Sequence, residues 1–212
     1  MVATRNAMAE AAKALSRRDP VIKGLLREYG PPPGRPHVPA SRRFAVLARS
    51  ILYQQLAGKA AAAIEGRFVA SLGGEVTPER VLALSFDDLR ASGLSGAKAR
   101  SIQDLAEKVV TGQISLERIG RLSDEEVAEH LVQVRGIGQW TAEMFLLGTL
   151  GRLDIWPVGD YGVRAGFAHI WELPDIPTPK ELMALGEPYH PYRSVVAWYC
   201  WRAMDTRLPS QS

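Results

Sequence analysis

Apolar residues recur at intervals of three and four positions along most of the chain, which is the period of an amphipathic α-helix. No segment alternates apolar and polar residues as a half-buried strand does. The pattern therefore predicts an all-α fold. The clearest apolar face consists of Phe44, Leu47, Ala48, Ile51 and Leu52. Further helices are predicted at about residues 58–71, 97–110, 124–133, 139–150, 161–172, 180–186 and 192–204.

Capping side chains stand where several of these helices should begin. Ser123 and Glu126 have the spacing of a capping box, in which each side chain accepts a hydrogen bond from the other residue's amide. Thr178 and Glu181 have the same spacing. A capping residue precedes proline, which suits the first helical position, in Asp19-Pro20, Thr77-Pro78 and Thr178-Pro179.

One stretch has the composition of a linker: GPPPGRPHVP, residues 30–39. It separates residues 1–40, an N-terminal helical segment that we expect to pack with the C-terminal helices, from the rest of the chain. Residues 41–158 are predicted to form a central helical subdomain. Residues 159–212 are predicted to complete the second subdomain.

Composition narrows the class of protein. With 212 residues and 46% apolar content, the chain can bury a sizeable core. The single cysteine, Cys200, excludes internal disulfides, cysteine-cluster zinc sites and a four-cysteine iron–sulfur cluster. No apolar run approaches the ~20 residues of a membrane span, and no signal-peptide pattern is present. We therefore expect an intracellular protein that is neither secreted nor membrane-bound.

The basic residues favour a nucleic-acid partner. The net charge is only +3, but 20 of the 26 basic residues are arginine. Arginine pairs with phosphate through two parallel hydrogen bonds. A GC-rich genome produces the same bias, so composition leaves both explanations open.

The stretch VRGIGQWTAEM, residues 134–144, joins two predicted helices through a very short turn. Gly136 and Gly138 allow backbone angles and close approach that a β-carbon would block. The amides of the turn and of the next helix, with the helix dipole, suit one phosphate group, and Arg135 adds a charge beside it. An ordinary glycine-closed turn between helices is the alternative. The pattern is that of a helix–hairpin–helix DNA-binding motif over about residues 123–150, formed by Val134, Gly136, Ile137, Gly138, Thr141 and Ala142.

A loop rich in glycine and proline follows the hairpin and ends at Asp160, just before a helix predicted to begin near Tyr161. Aspartate before a helix is commonly only an N-cap. Asp154 in the same loop is a second carboxylate candidate. The residues by themselves do not decide between these roles.

Taken together, the hairpin, the apolar helix and PVGD, residues 157–160, resemble the helix–hairpin–helix-GPD superfamily of DNA glycosylases over roughly residues 40–205. This resemblance implies two helical subdomains with the active-site cleft between them, and Asp160 as the catalytic aspartate. Strand-cleaving branches carry a Schiff-base lysine where this chain has Trp140. The chain is therefore similar to the 3-methyladenine DNA glycosylase II branch, in a compact form without lyase activity.

Two further segments carry the resemblance. ILYQQLAGKAAAAI, residues 51–64, is similar to the segment that enters the minor groove, which implies that Leu56 is the wedge and Gln55 its neighbour. PYRSVVAWYCWR, residues 191–202, is similar to the family's C-terminal helix. The implied base pocket is lined by Trp140, Trp201 and Tyr53, although core packing explains aromatic residues equally well.

The resemblance also implies how the hairpin binds DNA. Arg135, Gly136, Gly138 and Thr141 would contact a backbone phosphate. A structural Na⁺ or K⁺ would bind the backbone carbonyls of Val132, Val134 and Ile137, and no other cofactor is expected.

The implied function is base excision repair. A monofunctional enzyme of this class hydrolyses the N-glycosidic bond of alkylated bases, of the 3-methyladenine or 7-methylguanine type, after flipping them out of duplex DNA. We expect a monomer whose partner is double-stranded DNA with damaged bases, in the bacterial cytoplasm with the nucleoid or in a eukaryotic nucleus. Three alternatives stay open: a glycosylase for mismatched or deaminated bases, a non-catalytic DNA-binding protein, and an all-α interaction protein.

Overall fold

The structure is a computed structural model that describes residues 6–34, 38–56 and 58–205. Within these ranges every regular element is a helix, and the all-α prediction is confirmed. Short 3₁₀ turns lie at Ala40–Arg42, Ile119–Arg121 and Glu187–Tyr189. The α-helices are α1 Ala7–Ser16, α2 Pro20–Tyr29, α3 Arg43–Tyr53, α4 Gly58–Ser71, α5 Pro78–Ala83, α6 Phe86–Ala91, α7 Gly96–Val110, α8 Asp124–Leu131, α9 Gln139–Gly148, α10 Tyr161–Ile170, α11 Pro179–Gly186 and α12 Arg193–Asp205.

The predicted helix starts are confirmed by hydrogen bonds. Asp19 accepts from the amides of the next helix's first turn, and both predicted capping boxes form, at Ser123 and at Thr178. A further capping box, between Ser85 and Asp88, starts the short helix α6. These side chains satisfy amides that have no partner inside the helix, which is why the local sequence determines where each helix begins.

The chain divides into two compact units. Unit 1 combines Met1–His37 with Leu146–Ser212, and unit 2 is Val38–Phe145. The loop after α9, which the sequence placed in the central subdomain up to residue 158, belongs to unit 1. It is held there because the hydroxyl of Ser194 accepts from the Ile155 amide and donates to the Arg152 carbonyl, at 2.9 Å each.

The core of unit 1 forms where α1 and α2 pack with α10 and α12. Its members are apolar faces spaced as the sequence pattern predicts. Fully or almost fully buried side chains include Leu15, Ile22, Val163, Phe167, Val195 and Tyr199. Helices α10 and α12 make the most extensive helix–helix contact in the protein's described residues.

Two glycines let α10 approach α12 closely. A β-carbon on Gly166 would collide with the backbone of Cys200, and one on Gly162 would lie 3.0 Å from Cδ1 of Trp201. Cys200 itself is fully buried, and burial raises the pKa of its thiol, which therefore packs as a neutral group. The small residues thus set the distance between the two helices.

The core of unit 2 is built around α3 and α7. Leu47, Ile51 and Leu52 of α3 are buried, as are Ile102 and Leu105 of α7.

None of the helices in the described ranges is both long and apolar enough to cross a membrane.

We expect Gly166→Ala to destabilise the protein because the new methyl group meets backbone atoms that cannot rotate away. Overpacking of this kind costs about 1–3 kcal/mol. The matched control is Gly24→Ala, since Gly24 is an exposed helical residue with open space at its β-carbon position. That change should stabilise α2 by about 0.5–1 kcal/mol. Urea unfolding measures both; equal effects of the two substitutions would contradict this account of the α10–α12 contact.

Candidate active site

Asp160 is the N-cap of α10, and its carboxylate is also bound by a tryptophan. Its Oδ1 accepts hydrogen bonds from the Val163 amide at 2.9 Å and from the indole Nε1 of Trp201 at 3.0 Å. One carboxylate oxygen of Asp160 therefore caps the helix and binds Trp201. Both donors orient a partly exposed carboxylate at the start of a helix.

Trp201 reaches Asp160 because of the close contact between its helix and α10. The indole ring lies over Gly162, where any side chain would displace it. Trp201 is only partly buried, so its ring is not a simple core residue. Unit 1 thus places an aromatic surface and a carboxylate side by side.

Asp154, the second carboxylate candidate, is used for structure. It accepts from Nε and Nη2 of Arg193 at 2.9 and 2.7 Å, and its Oδ2 lies 2.7 Å from Nδ1 of His190. Partial burial alone would raise the pKa of Asp154, but the hydrogen bonds and charge of Arg193 hold it below its ordinary value. This carboxylate anchors the start of α12.

The hairpin of unit 2 requires glycine at one of its two glycine positions. Gly136 has φ +77°, and a β-carbon there would lie 3.2 Å from Cβ of Ser101 on α7. The neighbouring Arg135 amide donates to Asp104 Oδ2 at 2.7 Å, and the Gly136 carbonyl accepts from Gln54 Nε2 at 3.0 Å. Ser101 and Asp104 of α7 therefore contact the hairpin turn.

Gly138 does not need an unusual backbone, so that part of the sequence prediction was wrong. It is the residue whose carbonyl accepts the first bond of α9, from Ala142 at 3.1 Å, and its φ is not positive. A β-carbon on Gly138 would point into open space on an exposed surface. Among the described residues, no atom lies within 4 Å of a β-carbon at this position.

The other predicted hairpin residues divide by exposure. Val132 and Arg135 are exposed, whereas Val134 and Ile137 are buried and closed into a turn by the Ile137 amide, 3.0 Å from the Val134 carbonyl. Thr141 is buried, with 6% of its surface exposed. The Thr141 side chain is therefore largely covered, while its amide belongs to the first turn of α9.

Three of the predicted DNA-contacting residues surround one concavity of unit 2. Its volume is about 620 Å³, and Tyr53, Gln55 and Trp140 contribute to its wall. Half of the surface of Trp140 is exposed. The remaining lining residues are Val46, Arg49, Ser50, Gln54, Thr141 and Met144.

Tyr53 belongs to a polar cluster that sequence reasoning missed. Its hydroxyl donates to Glu65 Oε2 at 2.6 Å, and the guanidinium of Arg49 lies 4.1 Å from the centre of its ring. Arg49 also donates to Glu65 at 2.9 Å. The hydrogen bond to Glu65 raises the pKa of Tyr53. The four-residue spacing of Arg49 and Tyr53 on one helix was the available signal.

The predicted wedge lies in the turn that ends α3, residues 53–56, which we call the wedge turn. Gln55 has φ +56°, a conformation that a non-glycine residue adopts only under constraint. Leu56 has 36% of its surface exposed, and its amide lies 3.3 Å from the Tyr53 carbonyl. Ala57 lies outside the described residues. An apolar tip on a constrained turn is thus available to a partner.

The geometry defines a helix–hairpin–helix protein with an aspartate at the start of the helix that follows. The sequence profile of the HhH-GPD superfamily of base excision DNA repair proteins matches residues 48–191. This chain belongs to the HhH-GPD superfamily.

Individual relatives point to one branch. The chain is 40% identical over 159 residues to DNA-3-methyladenine glycosylase 1 of Schizosaccharomyces pombe, covering 74% of this chain and 70% of that protein. Its fold is similar to the solved structure of 3-methyladenine DNA glycosylase Mag1 from the same yeast in complex with abasic DNA, with TM-score 0.78 and 35% identity over 96% of this chain and 99% of that one. It is also similar to DNA-3-methyladenine glycosidase of Bacillus halodurans, with TM-score 0.84 and 33% identity over 93% and 90%.

The two hairpin glycines should respond differently to alanine. Gly136→Ala places a β-carbon at positive φ and against Ser101, so we expect a loss of roughly 1–2 kcal/mol or more of unfolding free energy. Gly138→Ala should leave the melting temperature close to that of the wild type. Calorimetry on both variants decides the point, and an equal drop for both would show that Gly138 is also a structural requirement.

Proposed function

We propose that this protein is a monofunctional DNA glycosylase that hydrolyses the N-glycosidic bond of alkylated purines in duplex DNA. The observation that carries the proposal is the carboxylate of Asp160, oriented by Trp201 at the start of α10 in a chain of this superfamily. The relatives named 3-methyladenine DNA glycosylases support the substrate class.

The leaving group of this reaction needs little acid catalysis. Alkylation at N3 or N7 makes the purine cationic, so it departs as a neutral base with the electrons of the glycosidic bond. Positive charge then builds on the sugar, and the oxygen of a water molecule adds to C1′ as the water loses a proton to the surrounding solvent. Asp160 stabilises that charge or orients the water. The products are a free base and an abasic site.

The target base must leave the helix before this reaction, at a cost of a few kcal/mol. Leu56 would fill the gap in the base stack, with Gln55 beside it in the minor groove. Trp140 and Trp201 are the proposed aromatic contacts of the base, because aromatic faces attract an electron-poor, cationic group. The exposure of Trp140 and Leu56 supports these roles.

The hairpin is proposed to hold a DNA phosphate. Gly138 leaves space for a phosphate oxygen to approach the first-turn amides of α9, and the exposed Arg135 adds a positive charge. Such contacts supply affinity and position without reading sequence. Thr141 would take part through its amide.

Backbone carbonyls next to the hairpin are proposed to bind a monovalent cation, Na⁺ or K⁺. Val132 is the C-cap of α8, where carbonyls have no partner within the helix, and the carbonyl of Val134 has a second lone pair beside its bond to Ile137. With the Ile137 carbonyl they would supply neutral oxygen ligands of the kind that a monovalent cation takes from backbone carbonyls. The ion would supply positive charge for a phosphate.

We further propose that the enzyme has no lyase step, as in the alkylpurine branch. A lyase needs an amine to attack the sugar. Trp140 occupies the position of the Schiff-base lysine, and the residues lining the concavity of unit 2 include no lysine. A monomer acting on damaged double-stranded DNA and a cleft between the two subdomains both stay predictions.

Release of free base from methylated duplex DNA tests the function. We expect release by the wild type and a loss of at least about a hundredfold in Asp160→Asn, because asparagine keeps the cap but not the charge. Asp175→Asn, which neutralises an exposed aspartate, is the control and should retain activity. Equal release by Asp160→Asn and the wild type would remove catalysis from Asp160. Release only from deaminated or mismatched duplexes, or DNA binding without release, would favour the corresponding alternative.

DNA binding by Gly138→Ala tests the phosphate site. The methyl group blocks approach to the amides, so we expect roughly tenfold weaker binding of a duplex with an abasic-site analogue, the scale of a charge-assisted hydrogen bond. The weakening should shrink as salt rises, since the lost contact is to phosphate. Unchanged affinity in fluorescence anisotropy would place the phosphate elsewhere.

A further inference from the structure

The C-terminal carbonyls of α3 are held by a lysine from another helix. Nζ of Lys98, in the first turn of α7, donates to the carbonyls of Leu52 and Gln54 at 2.7 Å each. These carbonyls lie at the end of α3, where intrahelical amide partners run out. An ammonium group is a strong partner for them, because it also complements the negative end of the helix dipole.

The position of Lys98 on its own helix does not favour α7. A positive charge in the first turn opposes the dipole of the helix that carries it. Lys98 is also partly buried, and burial lowers the pKa of its side chain. Its stabilising contribution is therefore made to the end of α3 and to the wedge turn, not to its own helix.

The same turn is tied to the hairpin through a second contact. The side-chain amide of Gln54 donates to the carbonyl of Gly136 at 3.0 Å. Lys98 holds the backbone of Gln54, and Gln54 holds the hairpin. The next residue, Gln55, has the constrained positive φ, and Leu56 follows with its exposed side chain.

We propose that Lys98 is a positioning residue that holds the wedge turn in the form needed to enter the base stack. This inference rests on the proposed function. The turn must carry Gln55 at positive φ in free protein, and the two carbonyl contacts of Lys98 restrain the residues just before it. With the turn held in advance, binding energy is not consumed in ordering it when Leu56 enters the DNA.

Lys98 touches neither substrate nor reacting atoms in this account. Its removal should therefore act only through Leu56. A residue that merely stabilises the fold would reduce function regardless of which side chain stands at position 56. That difference allows a double-mutant cycle to separate the two roles.

The experiment uses a duplex with a tetrahydrofuran abasic-site analogue and 2-aminopurine as the adjacent base. Insertion of Leu56 unstacks the probe and raises its fluorescence at saturating protein, and no chemistry is required. We compare Lys98→Met and Leu56→Ala, singly and together, with the wild type. Lys23→Met, which removes an exposed lysine from α2, controls for charge.

We expect Lys98→Met to lower the ratio of complexes with Leu56 inserted to complexes without insertion by about tenfold, the scale of a hydrogen bond to a charged group. The fluorescence rise should fall accordingly. Lys23→Met should retain the rise. The Leu56→Ala background is compared by affinity for the same duplex in fluorescence anisotropy, and there Lys98→Met should add no further loss. Additive losses, or a full rise in Lys98→Met, would overturn the proposal.

A second variant guards against loss of folding. If Lys98→Met has no cooperative thermal transition, Lys98→Arg is used instead, because it keeps the charge while changing the donor geometry. Lys98→Arg should show an intermediate fluorescence rise. A full rise with Lys98→Arg would then overturn the proposal. Base release by the wild type from methylated duplex, measured on the same preparation, tests the proposed function separately. A normal fluorescence rise without release would contradict the glycosylase proposal and leave the positioning role supported.

Discussion

The backbone of α10 lies against the backbone of α12 at Gly166 and Cys200, with no space for a side chain between them. Trp201 is the residue after Cys200 on α12. The contact therefore brings its indole over Gly162 and within hydrogen-bonding distance of Asp160. Because protein interiors are closely packed, even one added methyl group would change the distance between the two helices. The position of Trp201 beside Asp160 thus depends on the absence of side chains at Gly162 and Gly166.

Helix α7 plays the corresponding part in unit 2. Lys98, Ser101 and Asp104 are spaced by three residues and share one face of the helix. Lys98 holds the wedge turn, Ser101 lies under Gly136, and Asp104 accepts from the amide of Arg135. The two turns of this unit that we propose to face DNA therefore both contact a single helix.

Asp160 shows how one side chain serves structure and chemistry together. As an N-cap it satisfies an amide of α10, and the helix start favours its negative charge. The same charge is what a reaction that develops positive charge on a sugar needs nearby. A cationic leaving group reduces the need for a strong general acid, so one well-oriented carboxylate is enough for the proposed hydrolysis. Asp154, bound by Arg193, shows the purely structural use of the same residue type.

Local signals in the sequence determined the helices, their capped starts, the hairpin and the position of Asp160, because periodicity, caps and glycine turns act over a few neighbouring residues. Contacts between distant residues needed the tertiary structure. Lys98 against the end of α3 and Gly166 against α12 leave no mark on local pattern, since a lysine near a helix start or a glycine within a helix has many explanations. Only packing decides which residues meet, and it decided as well that Gly136, rather than Gly138, is the glycine the turn requires.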